Sequence, residues 1–128
     1  MTVSPREGPR TVIVDDDIDT LELLAEVLHA EGIAVVGCAT TGQAAIGLVA
    51  EVRPSVVLLD IRMPGMDGFK TAQALRRLVP MPEVVFLTAY AELLPGAAHE
   101  FGGYAYLVKG CSAALMRDVI TAAEAARV

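Results

Sequence analysis

The sequence predicts an α/β fold: a single doubly wound, five-stranded parallel sheet with helices on both faces. Two patterns carry that expectation. Short β-branched and aliphatic runs alternate five times with segments whose apolar residues recur at helical spacing. The short runs are continuously apolar rather than alternating, as strands are when helices cover both faces of a parallel sheet. Right-handed crossovers between such strands give a doubly wound sandwich. A length of 128 residues suits one domain, and a hydrophobic fraction of 54% supplies its core.

The elements follow in order. Met1 to Arg10 contains Pro5, Gly8 and Pro9 without an apolar stretch, so residues 1–10 read as a flexible tail rather than a signal peptide, and 11–128 as the domain. Thr11 to Val14 is a β-branched run that stops at Asp15-Asp16-Asp17. Ile18, Leu21, Leu24, Ala25 and Leu28 then mark a helix, which Gly32 ends. Ile33 to Val36 is the second strand. Thr41 caps a second helix whose inner face is expected to carry Ala44, Ala45, Leu48, Val49 and Val52. Val56 to Leu59 runs straight into Asp60. After a loop with Pro64 and Gly65, Asp67 caps a helix carrying Phe69, Ala72 and Leu75.

Pro80 and Pro82 break the chain before Val84 to Leu87, which ends at Thr88. Ala91 to Glu100 is a fourth helical segment. Pro95 removes a hydrogen bond in its middle and Gly96 adds backbone entropy, so this helix is expected to be short or broken. Tyr104 to Val108 is the fifth strand, ending at Lys109. Ser112 caps a last helix carrying Leu115, Met116, Val119, Ile120 and Ala123.

Composition narrows the function. A net charge of -6 with no basic run offers little to a phosphate backbone or an anionic membrane, so direct nucleic-acid and membrane binding are not expected. No apolar run is long enough to span a bilayer. Cys38 and Cys111 form no CxxC pair and read as reduced thiols of a cytoplasmic protein. His29 and His99 are isolated, without metal-ligand spacing.

One constellation carries chemistry. Asp15 and Asp16 follow the first strand, Asp60 the third, Thr88 the fourth and Lys109 the fifth. In an open parallel sheet, positions just past the strand ends gather along one edge, where ligands bind. Each residue alone has an ordinary reading: a helix cap, a strand-end threonine, a solvated lysine. Their coincidence at one edge does not. Three carboxylates together repel one another, and a hard divalent cation with oxygen ligands, Mg²⁺ above all, relieves that repulsion. Such a metal also neutralises phosphoryl oxygens in an in-line transfer. Lys109 adds a second positive charge, Thr88 a hydrogen bond, and Asp60 a carboxylate nucleophile able to form an acyl phosphate.

The stretches Val12-Ile-Val-Asp-Asp-Asp17, Leu58-Leu-Asp-Ile-Arg-Met-Pro-Gly-Met-Asp-Gly68, Phe86-Leu-Thr-Ala89 and Tyr106-Leu-Val-Lys109 resemble the receiver domains of bacterial two-component response regulators. The resemblance runs from about Thr11 to the end of the chain. It implies the flavodoxin-like strand order 2-1-3-4-5. It also implies roles: Asp60 as acceptor of a phosphoryl group from a sensor histidine kinase or phosphotransfer protein, and Asp15, Asp16, Asp60 and the backbone carbonyl of Arg62 as Mg²⁺ ligands. Thr88 and Lys109 would contact the phosphoryl group, beside the small Ala89. Tyr106 matches the switch aromatic that turns inward as Thr88 moves. Arg62 and Tyr90 occupy the positions that tune phosphoryl lifetime. Asp17 lies outside the metal set, as a helix cap.

Two departures stand out. Gly110 replaces the proline that usually follows the lysine in a cis peptide. Thr88 and Lys109 are also about one residue closer than is usual. The stretch from Tyr106 to Ser112 resembles receivers that precede a LuxR/NarL-type DNA-binding domain, so the output is expected through such a tethered domain, a homodimer or a docked protein.

Two rival functions compete with this one. A haloacid-dehalogenase-type phosphatase usually carries a second acid two residues after its nucleophile, where this chain has Arg62. A pseudo-receiver, working without phosphorylation, would not need the acidic pair, Asp60, Thr88 and Lys109. The reading is therefore a Mg²⁺-dependent phosphoacceptor switch and not an enzyme, beyond assisting its own phosphorylation and dephosphorylation.

Overall fold

The computed structural model describes residues 8–89, 100 and 102–127. Five strands form one parallel sheet: β1 (Arg10–Val14), β2 (Ala34–Ala39), β3 (Val56–Asp60), β4 (Glu83–Thr88) and β5 (Ala105–Val108). Their order is β2-β1-β3-β4-β5, as expected. Among the described residues, the helices are α1 (Ile18–Ala30), α2 (Gly42–Val52), α3 (Gly68–Leu75) and α4 (Ala113–Ala125). The fourth helical segment expected from the sequence lies outside the described residues save for Glu100.

Side-chain alternation splits the core into two layers. Val12, Val14, Val57, Leu59, Val84 and Phe86 point to the side covered by α2 and α3. Ile13, Val56, Leu58, Val85, Leu87 and Leu107 point to the side covered by α1 and α4. Both faces of β3 are thus dry, which is why its five residues are all buried and why its sequence shows no polar alternation. Phe69 of α3 meets Phe86 edge-on, with ring centroids 5.2 Å apart.

All four expected caps are made. Asp17, Thr41, Asp67 and Ser112 each accept a hydrogen bond from a backbone N–H in the first turn of the helix that follows. The Ser112 hydroxyl accepts from the Leu115 N–H at 3.1 Å. Ser112→Ala is expected to cost about 1 kcal/mol, read as a lower urea midpoint with an unchanged slope.

Some details differ from the sequence reading. Arg10 belongs to β1 rather than to the tail. Its guanidinium donates to the Val52 and Arg53 carbonyls at 2.8 Å each, closing the carboxyl end of α2. β2 runs on through Gly37, Cys38 and Ala39, which pair with Val12, Ile13 and Val14 across a register shift. Pairing with a neighbour overrides the weak strand propensity of those residues. Ile18 opens α1 one turn before its first buried leucine and is 62% exposed. Ala44 is exposed because Ala45 and Val49 define the buried stripe of α2, and one residue along a helix is about 100° around it.

Candidate functional site

The strand order reverses between β1 and β3, and the crevice at their carboxyl ends is where this topology places a ligand. Val14 pairs with Leu59, which sets Asp15 beside Asp60, the last residue of β3. Thr88 closes β4 opposite Val108. The Lys109 N–H then donates to the Thr88 carbonyl at 2.7 Å. Backbone pairing alone brings residues 15, 60, 88 and 109 to one edge.

The side chains converge as well. Asp15, Asp16 and Asp60 each offer a carboxylate oxygen, and these oxygens lie within 4.8 Å of one another. Asp15 and Asp60 are buried while Asp16 is exposed, so the cluster opens to solvent on one side. The Lys109 ammonium lies 2.8 Å from Asp15 Oδ2 and 3.6 Å from Asp60 Oδ1. Asp15 Oδ1 accepts from the Asp17 N–H at 2.9 Å. Its Oδ2 is buried and has the Lys109 ammonium as its partner.

The electrostatics record the crowding. Burial and the adjacent Asp15 carboxylate push the Asp60 carboxyl up to about 6, against the opposing pull of Lys109 and of a backbone hydrogen bond from Arg62. Burial works against the Lys109 ammonium, yet Asp15 and Asp60 outweigh it and hold its pKa above the ordinary value. Asp15 and Asp60 share the Lys109 ammonium. Hard oxygen donors in this number, from two buried carboxylates and one that faces solvent, fit a small divalent cation such as Mg²⁺.

Gly68 is a site residue that the sequence reading quoted without giving it a task. Its N–H donates to the Ile61 carbonyl at 2.8 Å, folding the loop from Ile61 back under α3. A Cβ there would meet the Asp60 carbonyl oxygen and lie 2.7 Å from Ile61 Cα. Both are backbone atoms that cannot swing away. Gly68→Ala is expected to destabilise the fold by about 1–3 kcal/mol through overpacking and to displace Asp60, read by thermal unfolding and by weakened divalent-metal binding.

Residues 11–121 match the family described as the response regulator receiver domain. This chain belongs to that family. It is 38% identical over 122 residues to the transcriptional regulatory protein PdtaR of Mycobacterium tuberculosis, a match covering 92% of this chain and 57% of PdtaR. It is 33% identical over 118 residues to the transcriptional regulatory protein LiaR of Bacillus subtilis, covering 89% of this chain and 55% of LiaR. The receiver therefore spans little more than half the length of these relatives. The solved receiver domain of the response regulator NarL from Mycobacterium tuberculosis superposes with a TM-score of 0.83 at 31% identity, covering 94% of this chain and 99% of that one.

Within the receiver domain, the structure places the remaining expected residues as follows. Thr88 is buried beside the pocket. Tyr106 is half-buried and packs against the α2–α3 side of the core. Arg62 is exposed, just past Asp60. Tyr90, Pro95, Gly96 and His99 lie outside the described residues. Among the described residues the cis peptide bond is Val79–Pro80, so Lys109–Gly110 is trans. No helix among the described residues is long and apolar enough to cross a membrane.

Proposed function

We propose that this receiver domain is a cytoplasmic phosphoacceptor switch of a two-component system. In this reading Asp60 takes a phosphoryl group from a phosphohistidine of a sensor kinase or phosphotransfer protein, in a Mg²⁺-dependent reaction. The observation that carries it is the cluster itself: three carboxylates within 4.8 Å, with an ammonium 3.6 Å from the expected nucleophile.

Asp15, Asp16, Asp60 and the Arg62 carbonyl would hold the metal. A divalent cation bound there supplies positive charge to the phosphoryl oxygens as they transfer. The chain's own groups do the rest. An Asp60 carboxylate oxygen forms a bond to phosphorus while the bond from phosphorus to the histidine nitrogen breaks, and that nitrogen keeps the electron pair. Lys109 faces the incoming oxygens, and Thr88 and Tyr106 change position as the output surface rearranges. The domain promotes only its own phosphorylation and dephosphorylation. Output through a homodimer, a tethered DNA-binding domain or a docked protein belongs to the same proposal; the names of PdtaR and LiaR favour transcription.

The test is intact mass after incubation with a small phosphodonor, with and without Mg²⁺. A single phosphoryl adduct that requires Mg²⁺ and maps to Asp60 is the expected result. A folded protein that takes no adduct with donor and metal in excess is a phosphorylation-independent pseudo-receiver instead. Arg62 and Tyr90 are proposed to restrict hydrolytic water, so Arg62→Ala and Tyr90→Ala should each shorten the phosphoryl half-life; unchanged half-lives would remove them from that role.

A further inference from the structure

Lys109 enters the acidic pocket from a tight turn, and its neighbour sets that turn. The Cys111 N–H donates to the Val108 carbonyl at 3.0 Å, closing a four-residue turn with Lys109 second and Gly110 third. Gly110 takes φ 94°, a positive value that Lys109 does not share. This is the type II pattern, whose third position demands positive φ and therefore favours glycine. On its other side the Lys109 N–H is tied to the Thr88 carbonyl at 2.7 Å. The lysine backbone is thus held by β4 before it and by the turn after it. From there its ammonium arrives 2.8 Å from Asp15 Oδ2.

We propose that Gly110 is a positioning residue for Lys109: it seats the ammonium at the acidic pocket through a backbone torsion that L-residues adopt only under strain. The proposal rests on the phosphoacceptor reading above and deepens it.

A Cβ added at Gly110 would meet no atom within 4 Å, so replacement perturbs the torsion without a steric clash. An alanine there either holds positive φ under strain or relaxes. The nearest relaxation flips the Lys109–Gly110 peptide toward a type I turn, whose third position has φ near −90°. That flip turns the Lys109 carbonyl over and resets the torsions beside the Lys109 Cα, which redirects its side chain, while Asp15, Asp16 and Asp60, at the ends of other strands, stay where they are.

Three measurements on Gly110→Ala, Gly110→Asn and wild type test this. The first is the rate of phosphoryl adduct formation as the concentration of a small phosphodonor is varied. The second is Mg²⁺ affinity by calorimetry. The third is thermal unfolding with a chelator present, with and without Lys109→Ala in each background. Gly110→Ala should slow adduct formation by about ten-fold or more, as misplacement of a group at a reacting centre does. Mg²⁺ affinity should not fall, because the carboxylates are not moved and the ammonium drawn away from them is a competing cation. Gly110→Asn should recover part of the rate, since asparagine visits positive φ more readily. Lys109→Ala should shift the unfolding midpoint less in the Gly110→Ala background than in wild type.

Equal rates for Gly110→Ala and wild type would overturn the positioning role and leave the phosphoacceptor reading intact. A wild type that takes no adduct would remove the phosphoacceptor reading. The unfolding cycle then still decides: additive midpoint shifts overturn the seating of Lys109 by Gly110, and non-additive shifts support it.

Discussion

Asp60→Asn is expected to be inert toward a phosphodonor and, without divalent metal, more stable than wild type. The loss of the adduct follows from removing the nucleophilic oxygen. The gain in stability follows from the pocket's electrostatics. Asp60 titrates from about 6 in the folded protein, against an ordinary value of 3.8. Between those two values the unfolded chain has already released a proton that the folded chain still holds. Stability therefore falls as the pH rises across that window, and the full penalty applies above it. At 1.36 kcal/mol per pH unit the penalty is on the order of 3 kcal/mol. Asparagine keeps the shape and drops the charge, so urea unfolding at pH 8 with a chelator should show the variant ahead by roughly that amount. Near pH 4 the two proteins should converge. Saturating Mg²⁺ should raise the wild-type midpoint more than that of the variant, because the metal relieves the repulsion that the substitution removes. A variant no more stable than wild type at pH 8 would mean that Lys109 already balances the cluster.

Lys109→Ala is expected to move stability the other way. The ammonium is the charge partner of a buried Asp15 oxygen and lies close to Asp60 as well. Removing one member of a buried pair leaves an uncompensated charge, a loss of about 3–5 kcal/mol when both partners are fully buried. The lysine side chain is 30% exposed, so solvent shares the load; the expected loss is about 2 kcal/mol in metal-free buffer at pH 8. The loss should shrink as the pH falls and Asp60 takes up its proton. Combining Lys109→Ala with Asp60→Asn should restore most of the stability, since the second change removes one of the stranded charges. Adduct formation, by contrast, should fall about a hundred-fold or more in Lys109→Ala, because the donor facing the phosphoryl oxygens is gone. Additive stability effects of Lys109→Ala and Asp60→Asn in the double variant would place Lys109 outside the pocket's charge balance.

Much of this protein is legible in one dimension. The continuous apolar runs of Val12–Val14, Val56–Leu59 and Val84–Leu87 announce strands buried on both faces. Asp17, Thr41, Asp67 and Ser112 announce the starts of four helices, because a cap acts on N–H groups two or three residues away. Asp15, Asp16, Asp60, Thr88 and Lys109 could be gathered from sequence alone because a parallel sheet sends every strand's carboxyl end to one edge. These are local or topological consequences of pattern.

What the chain did not reveal depends on distance in space. The extension of β2 through Gly37 and Ala39 needs β1 as its neighbour. The task of Gly68 appears only when its missing side chain is seen to face the Asp60 backbone. The raised pKa of Asp60 follows from how deeply burial and Asp15 press on it. The type II turn at Lys109–Gly110 replaces the cis peptide that a proline there would have suggested. Sequence pattern determined the fold, the strand-end residues and the helix starts, since those follow from hydrophobic period and short-range hydrogen bonding. Tertiary structure decided the charge state of the pocket and the seat of its lysine, since both depend on separations of a few ångströms between residues far apart in the chain.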